Sequence, residues 1–315
     1  MPAIEILGLE KSYQVGFLRK TEKVALKPFQ LAVQEGEIFG YLGPNGAGKT
    51  TTLKLLLGLV FPTAGSARLL GRDWRDPDTK ADIGFLPEQP YFYDYLTATE
   101  LLDYYGHLSG MDAAARSKRV PEVLERVGMT GAAHIQLRKF SKGMLQRVGI
   151  AQAIVHDPKL VILDEPMSGL DPMGRLQVRD LIQSLKDEGK TVFFSTHILS
   201  DAETLCDRVA VLNEGELRAV GVVADLTAQV GGKVEVVWQG EKALPAIEAL
   251  GGASRKTASL VRATLPEGQL DAAIDAIRQA HERLVSVTPV RATLEDYFLQ
   301  KLGGADADAP REVRP

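Results

Sequence analysis

The sequence has few of the features that mark secreted, membrane-spanning or nucleic-acid-binding chains. Its 315 residues include a single cysteine, Cys206, which cannot form an internal disulfide and therefore fits a reducing compartment. As a lone residue it is predicted to be a small buried hydrophobe rather than a nucleophile. Basic residues are not in excess, since 37 Lys and Arg stand against 41 Asp and Glu, for a net charge of -4. Electrostatics therefore predicts no nucleic-acid partner.

Long hydrophobic runs are also missing. The densest, LLLGLVF at residues 55–61, is shorter than the roughly 18 residues that span a bilayer. The first apolar segment contains Glu5 and follows no basic region, so a signal peptide is not expected. Any role at a membrane is therefore predicted to depend on a partner.

The composition is that of a folded protein, with 45% hydrophobic and 25% charged residues. The length allows one large domain or two of ordinary size. Because the pattern changes beyond Val220, residues 1–220 are predicted to form one domain and residues 221–302 a smaller α/β domain. The second has the element order βαββαβ, a ferredoxin-like arrangement, followed by a final helix in ATLEDYFLQKL. Residues 303–315 hold too little apolar surface to fold and are predicted to be a disordered tail.

Strand patterns dominate the beginning of the first domain. Strands are predicted within residues 3–37, around a basic insert between Val15 and Lys23 that is predicted to be a loop. A helix is predicted in TTLKLLLGLV, ended by Phe61 and Pro62. A further pair of strands is expected near residues 67–70 and 83–86.

Helical patterns run from Thr97 to about residue 156. Thr97 and Glu100 predict a capping box, Pro121 suits the first turn of a helix, and Ser141 suits a helix cap. Beyond them, the branched runs LVIL and TVFF flank an amphipathic segment, and this alternation of apolar strands with a helix is typical of a parallel sheet. VAVLNEGELRAVG predicts a hairpin.

A glycine-rich segment follows the short strand EIFGYLG and fits the pattern GxxxxGK[ST] position for position. Glycines let backbone N–H groups wrap a phosphate, and the following helix presents its positive end to it. Lys49 is predicted to reach the β- and γ-phosphates of a nucleotide, and the Thr50 hydroxyl to coordinate Mg²⁺. The predicted nucleotide-binding residues of this segment are Gly43, Pro44, Asn45, Gly46, Ala47, Gly48, Lys49, Thr50 and Thr51.

Two acids follow the apolar run LVIL at residues 160–163. They stand at the carboxyl end of a predicted buried strand, where ligands bind in open α/β sheets. Asp164 is predicted to hold the metal through its water shell, and Glu165 to polarise the attacking water.

Further motifs occur in the order found in ATP-binding cassette (ABC) ATPases, which the segment of about residues 3–220 resembles. FSKGM resembles the family signature, usually LSGGQ, and SGLD, ending at Asp171, resembles the D-loop. Gln89 resembles the Q-loop glutamine, and His197 the switch histidine. Tyr13 resembles the aromatic residue that stacks on adenine, although the insert after it is longer than is usual in the family.

The resemblance implies a phosphate-loop NTPase cassette, in which a parallel core sheet is joined by an antiparallel β subdomain and by a helical subdomain of about residues 90–158. It implies ATP and Mg²⁺ as ligands, and catalytic roles for Lys49, Glu165, His197 and Gln89, with Gln89 also at the metal. It further implies a homodimer, or a heterodimer with a related cassette. Ser141, Gly143 and Asp171 would then contact the nucleotide bound by the partner.

The signature departs from its usual form at Lys142 and Met144, while Ser141 and Gly143 remain. This variant resembles the ABC-2 branch of exporter ATPases, as does the sequence LEDYFLQ near the end of the second domain. The resemblance implies export through a separate transmembrane permease, with this chain cytoplasmic and peripheral on the inner face of the membrane. A non-transport ABC ATPase that acts as a mechanical or assembly subunit is the alternative.

Overall fold

The computed structural model describes residues 1–16, 21–257 and 259–301. These divide into two compact units, Met1–Val222 and a second that begins at Val223. The predicted tail and most of the insert after Val15 lie outside the described residues. Within the described part of the chain, no helix combines the length and apolar character needed to cross a membrane.

The first unit contains ten strands and seven α-helices among its described residues. They are β1 (Pro2–Val15), β2 (Thr21–Gln34), β3 (Ile38–Leu42), α1 (Lys49–Leu56), β4 (Ala64–Leu69), β5 (Arg72–Asp73), α2 (Pro77–Lys80), β6 (Ile83–Leu86), α3 (Ala98–Leu108), α4 (Ala113–Arg126), α5 (Lys142–Ile154), β7 (Leu160–Asp164), α6 (Pro172–Asp187), β8 (Thr191–Thr196), α7 (Leu199–Leu205), β9 (Arg208–Asn213) and β10 (Glu216–Val222).

The central sheet has the strand order β10-β9-β3-β8-β7-β6. Strands β9, β3, β8, β7 and β6 are parallel, whereas β10 returns antiparallel to β9 as the predicted hairpin. Every residue of β3, β7 and β8 is buried, which explains why these strands are continuous apolar runs rather than alternating ones. Because β3, β8 and β7 are neighbours, their carboxyl ends form one edge of the sheet.

A second, antiparallel sheet has the order β2-β1-β4-β5. The strands expected near residues 67–70 and 83–86 are both present, as β4 and β6, but they lie in different sheets, because β4 pairs with β1 in this sheet and β6 pairs in parallel with β7 in the other. Short apolar strands have the same pattern in either sheet, so their period gives no information about the partner.

Helix α1 is shorter than predicted. It ends at Leu56 instead of reaching Phe61. The chain turns at Gly58, whose N–H donates to the carbonyl of Leu55 at 3.0 Å, while Leu59 N–H donates to Lys54 at 2.9 Å. These two hydrogen bonds form a Schellman motif, which satisfies the last carbonyl groups of the helix. The helix therefore ends several residues before Pro62, the residue expected to terminate it.

The predicted helix caps at Thr97 and Ser141 are confirmed. The prediction for Pro121 is wrong, because this residue lies inside α4, which begins where Asp112 accepts a hydrogen bond from Ala115 N–H at 2.8 Å. Val123 and Leu124, which follow the proline, are fully buried in the core. Burial of these side chains offsets the single backbone hydrogen bond that proline cannot make.

Cys206 packs against the core of the first unit. A β-carbon built on Gly40 would lie 2.6 Å from its Sγ, so the thiol fills the space that this glycine leaves. Burial raises the pKa of the Cys206 thiol well above its ordinary value, and neighbouring acids raise it further. A neutral packing role, as predicted, agrees with these surroundings.

The second unit is a four-stranded antiparallel sheet in the order β12-β13-β11-β14 with two helices, α9 and α10, between the strands in sequence. Its core is formed around Trp238, Ile247 and Ile277. The predicted βαββαβ order and the final helix are both confirmed. The elements are α8 (Val223–Ala228), β11 (Lys233–Gln239), α9 (Leu244–Ala249), β12 (Ala253–Thr257), β13 (Leu260–Pro266), α10 (Leu270–Gln279), β14 (Arg283–Val290) and α11 (Leu294–Lys301).

Candidate nucleotide-binding site

The glycine-rich loop lies at the carboxyl end of β3, between that strand and α1. It is tightly enclosed at two positions. A β-carbon on Gly43 would lie 2.3 Å from the carbonyl oxygen of Leu212, and one on Gly48 would lie 2.7 Å from the carbonyl oxygen of Ala25. Gly48 also has φ = 107°, a conformation that only glycine adopts without strain. These contacts explain why the loop needs glycine at both places.

Lys49, the first residue of α1, is 6% exposed. Its ammonium group donates hydrogen bonds to the carbonyl oxygens of Gly43 at 2.7 Å and Pro44 at 3.2 Å. It also lies 3.3 Å from Oε1 of Glu165. The lysine is therefore held over the loop by groups that follow β3 and β7, the two strands on either side of β8.

The two acids occupy the end of β7. Asp164 is the last residue of the strand, and Glu165 follows it with φ = 49°, in the left-handed region. The backbone N–H of Glu165 donates to Ser195 Oγ at 3.1 Å, and Ser195 Oγ donates to Oδ1 of Asp164. A sharp turn thus directs the two successive carboxylates to different neighbours.

His197 lies just beyond β8. Its Nδ1 is 2.9 Å from Oε2 of Glu165, so the glutamate carboxylate stands between the histidine ring and the Lys49 ammonium group. Among the described residues, nothing donates a hydrogen bond to the buried Oε1 of Glu165. This oxygen therefore keeps acceptor capacity for a donor such as a water molecule.

A cleft of about 440 Å³ opens over the loop and this cluster. Tyr13 forms part of its wall, and the ammonium group of Lys11 lies 4.8 Å from the centre of the Tyr13 ring. The lining residues include Asn45, Gly46, Gly48, Lys49, Thr50, Thr51 and Glu165, which the sequence predicted, together with Glu88, Lys23 and Val24, which it did not. An aromatic wall on one side and a phosphate loop on the other suit a nucleotide.

Gln89 is placed differently from its neighbour. Glu88 lines the cleft, whereas Gln89 is exposed and is not among the lining residues. Both follow β6 at the edge of the sheet. The role predicted for Gln89 at the metal and in catalysis stays a prediction.

The donor set of the cleft fits Mg²⁺ delivered with a nucleotide. Thr50 lines the cleft, and Asp164 is buried at the adjacent strand end. No cluster of three or more His, Cys, Asp or Glu side chains that could hold a metal occurs in the described ranges. Mg²⁺ commonly takes one or two protein oxygens together with phosphates and water, so a hydroxyl and one carboxylate are a sufficient protein contribution.

The signature and D-loop residues lie outside this cleft. Ser141 caps α5 by accepting from Met144 N–H at 3.3 Å, and Asp171 caps α6 by accepting from Gly174 N–H at 3.1 Å. Both caps are exposed. The structure thus separates the sequence-predicted residues into one group around the Lys49 loop and another at two helix N-termini.

Space is available at Gly143 in the first turn of α5. A β-carbon there would be 3.6 Å from its nearest neighbour, Leu170 Cδ2, which is an ordinary contact. Packing within the chain therefore does not require glycine at this position. The adjacent Lys142 side chain lies against Gly169, where an added β-carbon would be 2.2 Å from Nζ, so the signature and the SGLD turn are in contact.

Sequence reasoning missed Ser195, which joins the two acids. A hydroxyl in the apolar run TVFFST, at the end of a buried strand, was the available signal. Ser195 has no exposed surface, and buried hydroxyl groups generally have specific partners.

The fold and the site together define a phosphate-loop NTPase with a parallel core sheet, an antiparallel β subdomain and a helical subdomain. A family model described as ABC transporter matches residues 26–168. Among solved structures, a dimeric ATP-binding cassette in a post-hydrolysis state with ADP and Pi has a TM-score of 0.64 and 28% identity. The match covers 70% of this chain and 98% of that one.

Curated relatives agree with this class. An uncharacterized ABC transporter ATP-binding protein of Synechocystis sp. is 46% identical over 95% of this chain and 84% of its own length. The linearmycin resistance ATP-binding protein LnrL of Bacillus subtilis is 34% identical over 89% of each chain. Nod factor export ATP-binding protein I of Cupriavidus pinatubonensis is 38% identical over 71% of each. The chain belongs to the ABC transporter family, as an ATP-binding subunit.

Proposed function

We propose that this subunit hydrolyses ATP with Mg²⁺ and thereby drives export through a separate membrane permease. The observation that carries the proposal is the convergence of Lys49, Glu165 and His197, with Glu165 3.3 Å from the lysine and 2.9 Å from the histidine. A carboxylate that lies between an ammonium group and an imidazole, with no hydrogen bond from the described residues on its buried Oε1, suits a group that orients and polarises an attacking water.

Each side chain has a distinct part in this reaction. Lys49 would exchange its carbonyl partners for the β- and γ-phosphates and offset the charge that develops on the transferred group. Glu165 would accept a hydrogen bond from the attacking water. His197, at the end of β8, would hold Glu165 in place and face the γ-phosphate. The backbone N–H groups at the start of α1 would bind the remaining phosphate oxygens.

Thr50 and Asp164 are the residues that would hold Mg²⁺, with Asp164 acting through a water molecule. When bound, the ion would supply positive charge that offsets the charge developing on the phosphates. Gln89 is proposed to join this set when the segment after β6 approaches the cleft.

A second copy of the cassette would complete the site. Ser141, Gly143 and Asp171 lie outside the cleft, and Gly143 is not required by packing within its own chain. A hydroxyl and close-approaching amides at a helix N-terminus suit a γ-phosphate presented by a partner. The similarity to a cassette whose solved structure is dimeric supports this arrangement.

The hydrolytic role is tested with Glu165→Gln. We expect ATP binding to persist, turnover to fall by about 10²–10⁴-fold, and an ATP-bound dimer to accumulate. Steady-state hydrolysis and size-exclusion chromatography with ATP measure these outcomes. Glu214→Gln is a matched control, since Glu214 also has a left-handed backbone, with φ = 47°, but lies in an exposed hairpin turn. A Glu165→Gln protein with wild-type turnover would contradict the assignment.

We propose that the permease docks in a groove of about 580 Å³ beside the helical subdomain. Tyr91, which is 92% exposed, lines this groove together with Phe92, Tyr105 and Leu108, so the groove offers an apolar contact surface. His156 also lines the groove, and burial lowers the pKa of its imidazole. Gln89 connects the two sites in sequence, because Glu88 lines the nucleotide cleft and Pro90 and Tyr91 line the groove.

Docking is tested by co-purification with the permease. Tyr91→Ala is expected to reduce recovery of the complex while ATP hydrolysis by the isolated subunit stays within about twofold of wild type. Phe61→Ala is a matched control, because Phe61 is also exposed, at 69%, but does not line the groove. Equal recovery of the permease by both variants would exclude this docking site.

Export is proposed from two of the relatives, whose names refer to linearmycin resistance and Nod factor export. The subunit would then be cytoplasmic and held at the inner face of the membrane by its permease. A neighbouring gene encoding several hydrophobic spans, whose product co-purifies with this chain, would support the transport role over a purely soluble one.

A further inference from the structure

We propose that Ser195 is a positioning residue for hydrolysis, whose hydroxyl group sets the orientation of both the metal-holding acid and the water-orienting acid. The inference rests on the proposed function of Asp164 and Glu165 and assigns a role to a buried residue that acts through them. It is carried by hydrogen-bond geometry at the carboxyl ends of β7 and β8.

The Ser195 hydroxyl has two partners in a completely buried position. It donates to Oδ1 of Asp164 and accepts from the backbone N–H of Glu165 at 3.1 Å. A hydroxyl group has one proton to donate, so the two bonds fix each other's direction. The hydroxyl proton is donated to the Asp164 carboxylate, and a lone pair of the hydroxyl oxygen accepts from the Glu165 N–H.

The bond to Asp164 limits rotation of its carboxylate. Asp164 is only 1% exposed, so bulk water does not compete for Oδ1. Fixing one oxygen of a planar carboxylate restrains the other as well. Hydrogen bonds of this kind commonly tune the affinity of a metal ligand, and losing one costs about 10–100-fold in affinity or activity.

The bond to Glu165 supports an unusual backbone conformation. Glu165 has φ = 49°, which is uncommon for a residue with a side chain. Its N–H also donates to the backbone carbonyl of Ser195 at 3.2 Å, as part of the pairing of β7 with β8. The hydroxyl adds a second acceptor at the turn that directs the Glu165 side chain toward Lys49 and His197.

The segment that contains Ser195 also places the histidine. His197 is two residues after Ser195, directly beyond the end of β8. Ser195 restrains the backbone of Glu165, and His197 contacts its carboxylate at 2.9 Å. One short segment therefore holds Glu165 at both ends.

The test compares Ser195→Ala with Thr191→Val. Thr191 is a matched control, because it lies in the same strand, is 2% exposed, and accepts from Gly36 N–H at 3.0 Å, away from the acids. Both substitutions delete one buried hydroxyl group. Thermal unfolding reports their structural cost, and Mn²⁺ titration of the ADP complex, with Mn²⁺ as the metal probe, reports metal affinity without turnover.

For Ser195→Ala we expect a loss of about 10–100-fold in Mn²⁺ affinity and in maximal ATP turnover, with ATP binding in the absence of metal within about twofold of wild type. Thr191→Val should lower thermal stability by a similar amount and leave metal affinity unchanged. Ser195→Thr, which keeps the hydroxyl group, should restore most of the metal affinity.

The proposal is overturned if Ser195→Ala keeps wild-type metal affinity and turnover, or if Thr191→Val loses both to the same extent. If Ser195→Ala fails to fold, Ser195→Cys is judged by the same criteria, since it keeps the size of the side chain and weakens both hydrogen bonds. Failure of the proposed function is a separate result, namely a wild-type protein that does not hydrolyse ATP.

Discussion

The two ends of the segment 140–171 differ in what their residues contact. Toward the later end, Asp164 and Glu165 are buried, and they contact Ser195 of β8, Lys49 of α1 and His197 just beyond β8. At the earlier end, the exposed Ser141 caps its own helix. One group of predicted residues is therefore assembled by the fold of a single chain, whereas the other needs an outside surface to act.

The largest expected effect is at the assembled end. Lys49→Ala should raise the Kd for ATP by about 100-fold or more, since each charge-assisted hydrogen bond to a phosphate contributes about 1.5–3 kcal/mol and about 1.4 kcal/mol is tenfold in affinity. Titration with a fluorescent ATP analogue measures the change.

Lys54→Ala is the matched control for this change, since Lys54 is an exposed lysine of the same helix, α1. It should bind ATP as the wild type does. Equal ATP affinity in the Lys49 variant would show that the buried group is not a nucleotide site and would remove the basis of the comparison.

A smaller effect is expected at the exposed end, and only in the dimer. Gly143→Asp should leave ATP binding by the monomer intact but weaken the ATP-dependent dimer of the Glu165→Gln protein by at least about tenfold. The reason is that two like charges about 4 Å apart repel by about 1–4 kcal/mol in water or near a protein surface. Analytical ultracentrifugation with ATP measures the dimer.

Gly131→Asp, combined with Glu165→Gln, controls for the added charge. Gly131 lies in the same helical region, and a β-carbon there would meet nothing within 4 Å. This variant should dimerise normally. If the Gly143 change also weakened monomeric ATP binding, the signature would act in its own chain and the proposed division between the two ends would be wrong.

The smallest expected effect concerns Tyr13, on the far wall of the cleft. Tyr13→Ala should weaken ATP binding by about tenfold, because base stacking on an aromatic side chain contributes about 1–3 kcal/mol. Tyr13→Phe keeps the ring and should bind as the wild type does. Loss of affinity in both variants would indicate that the hydroxyl group, rather than stacking, is the contact.

Much of the cassette could be predicted because its signals are local. The glycine spacing, the acids after an apolar strand and the cap at Thr97 depend on residues close together in sequence. Partner choice among short strands could not be predicted in this way, since β4 and β6 were both expected as strands but lie in different sheets. The predicted end of α1 was also misplaced, because the helix closes at the turn around Gly58, whereas Pro62 is the stronger stop signal in the sequence.

Residue types and their spacing are enough to specify the kind of chemistry, since they define a phosphate loop, an acid pair and a signature. Which of these residues meet depends on how the strands pack in three dimensions. Lys49, Glu165 and His197 come from distant positions and converge because β3, β7 and β8 are neighbours whose carboxyl ends share one edge. The same packing brings Ser195 into the site, since its hydroxyl group is bonded to residues at the end of β7, with Glu165 lying 30 residues away in the sequence.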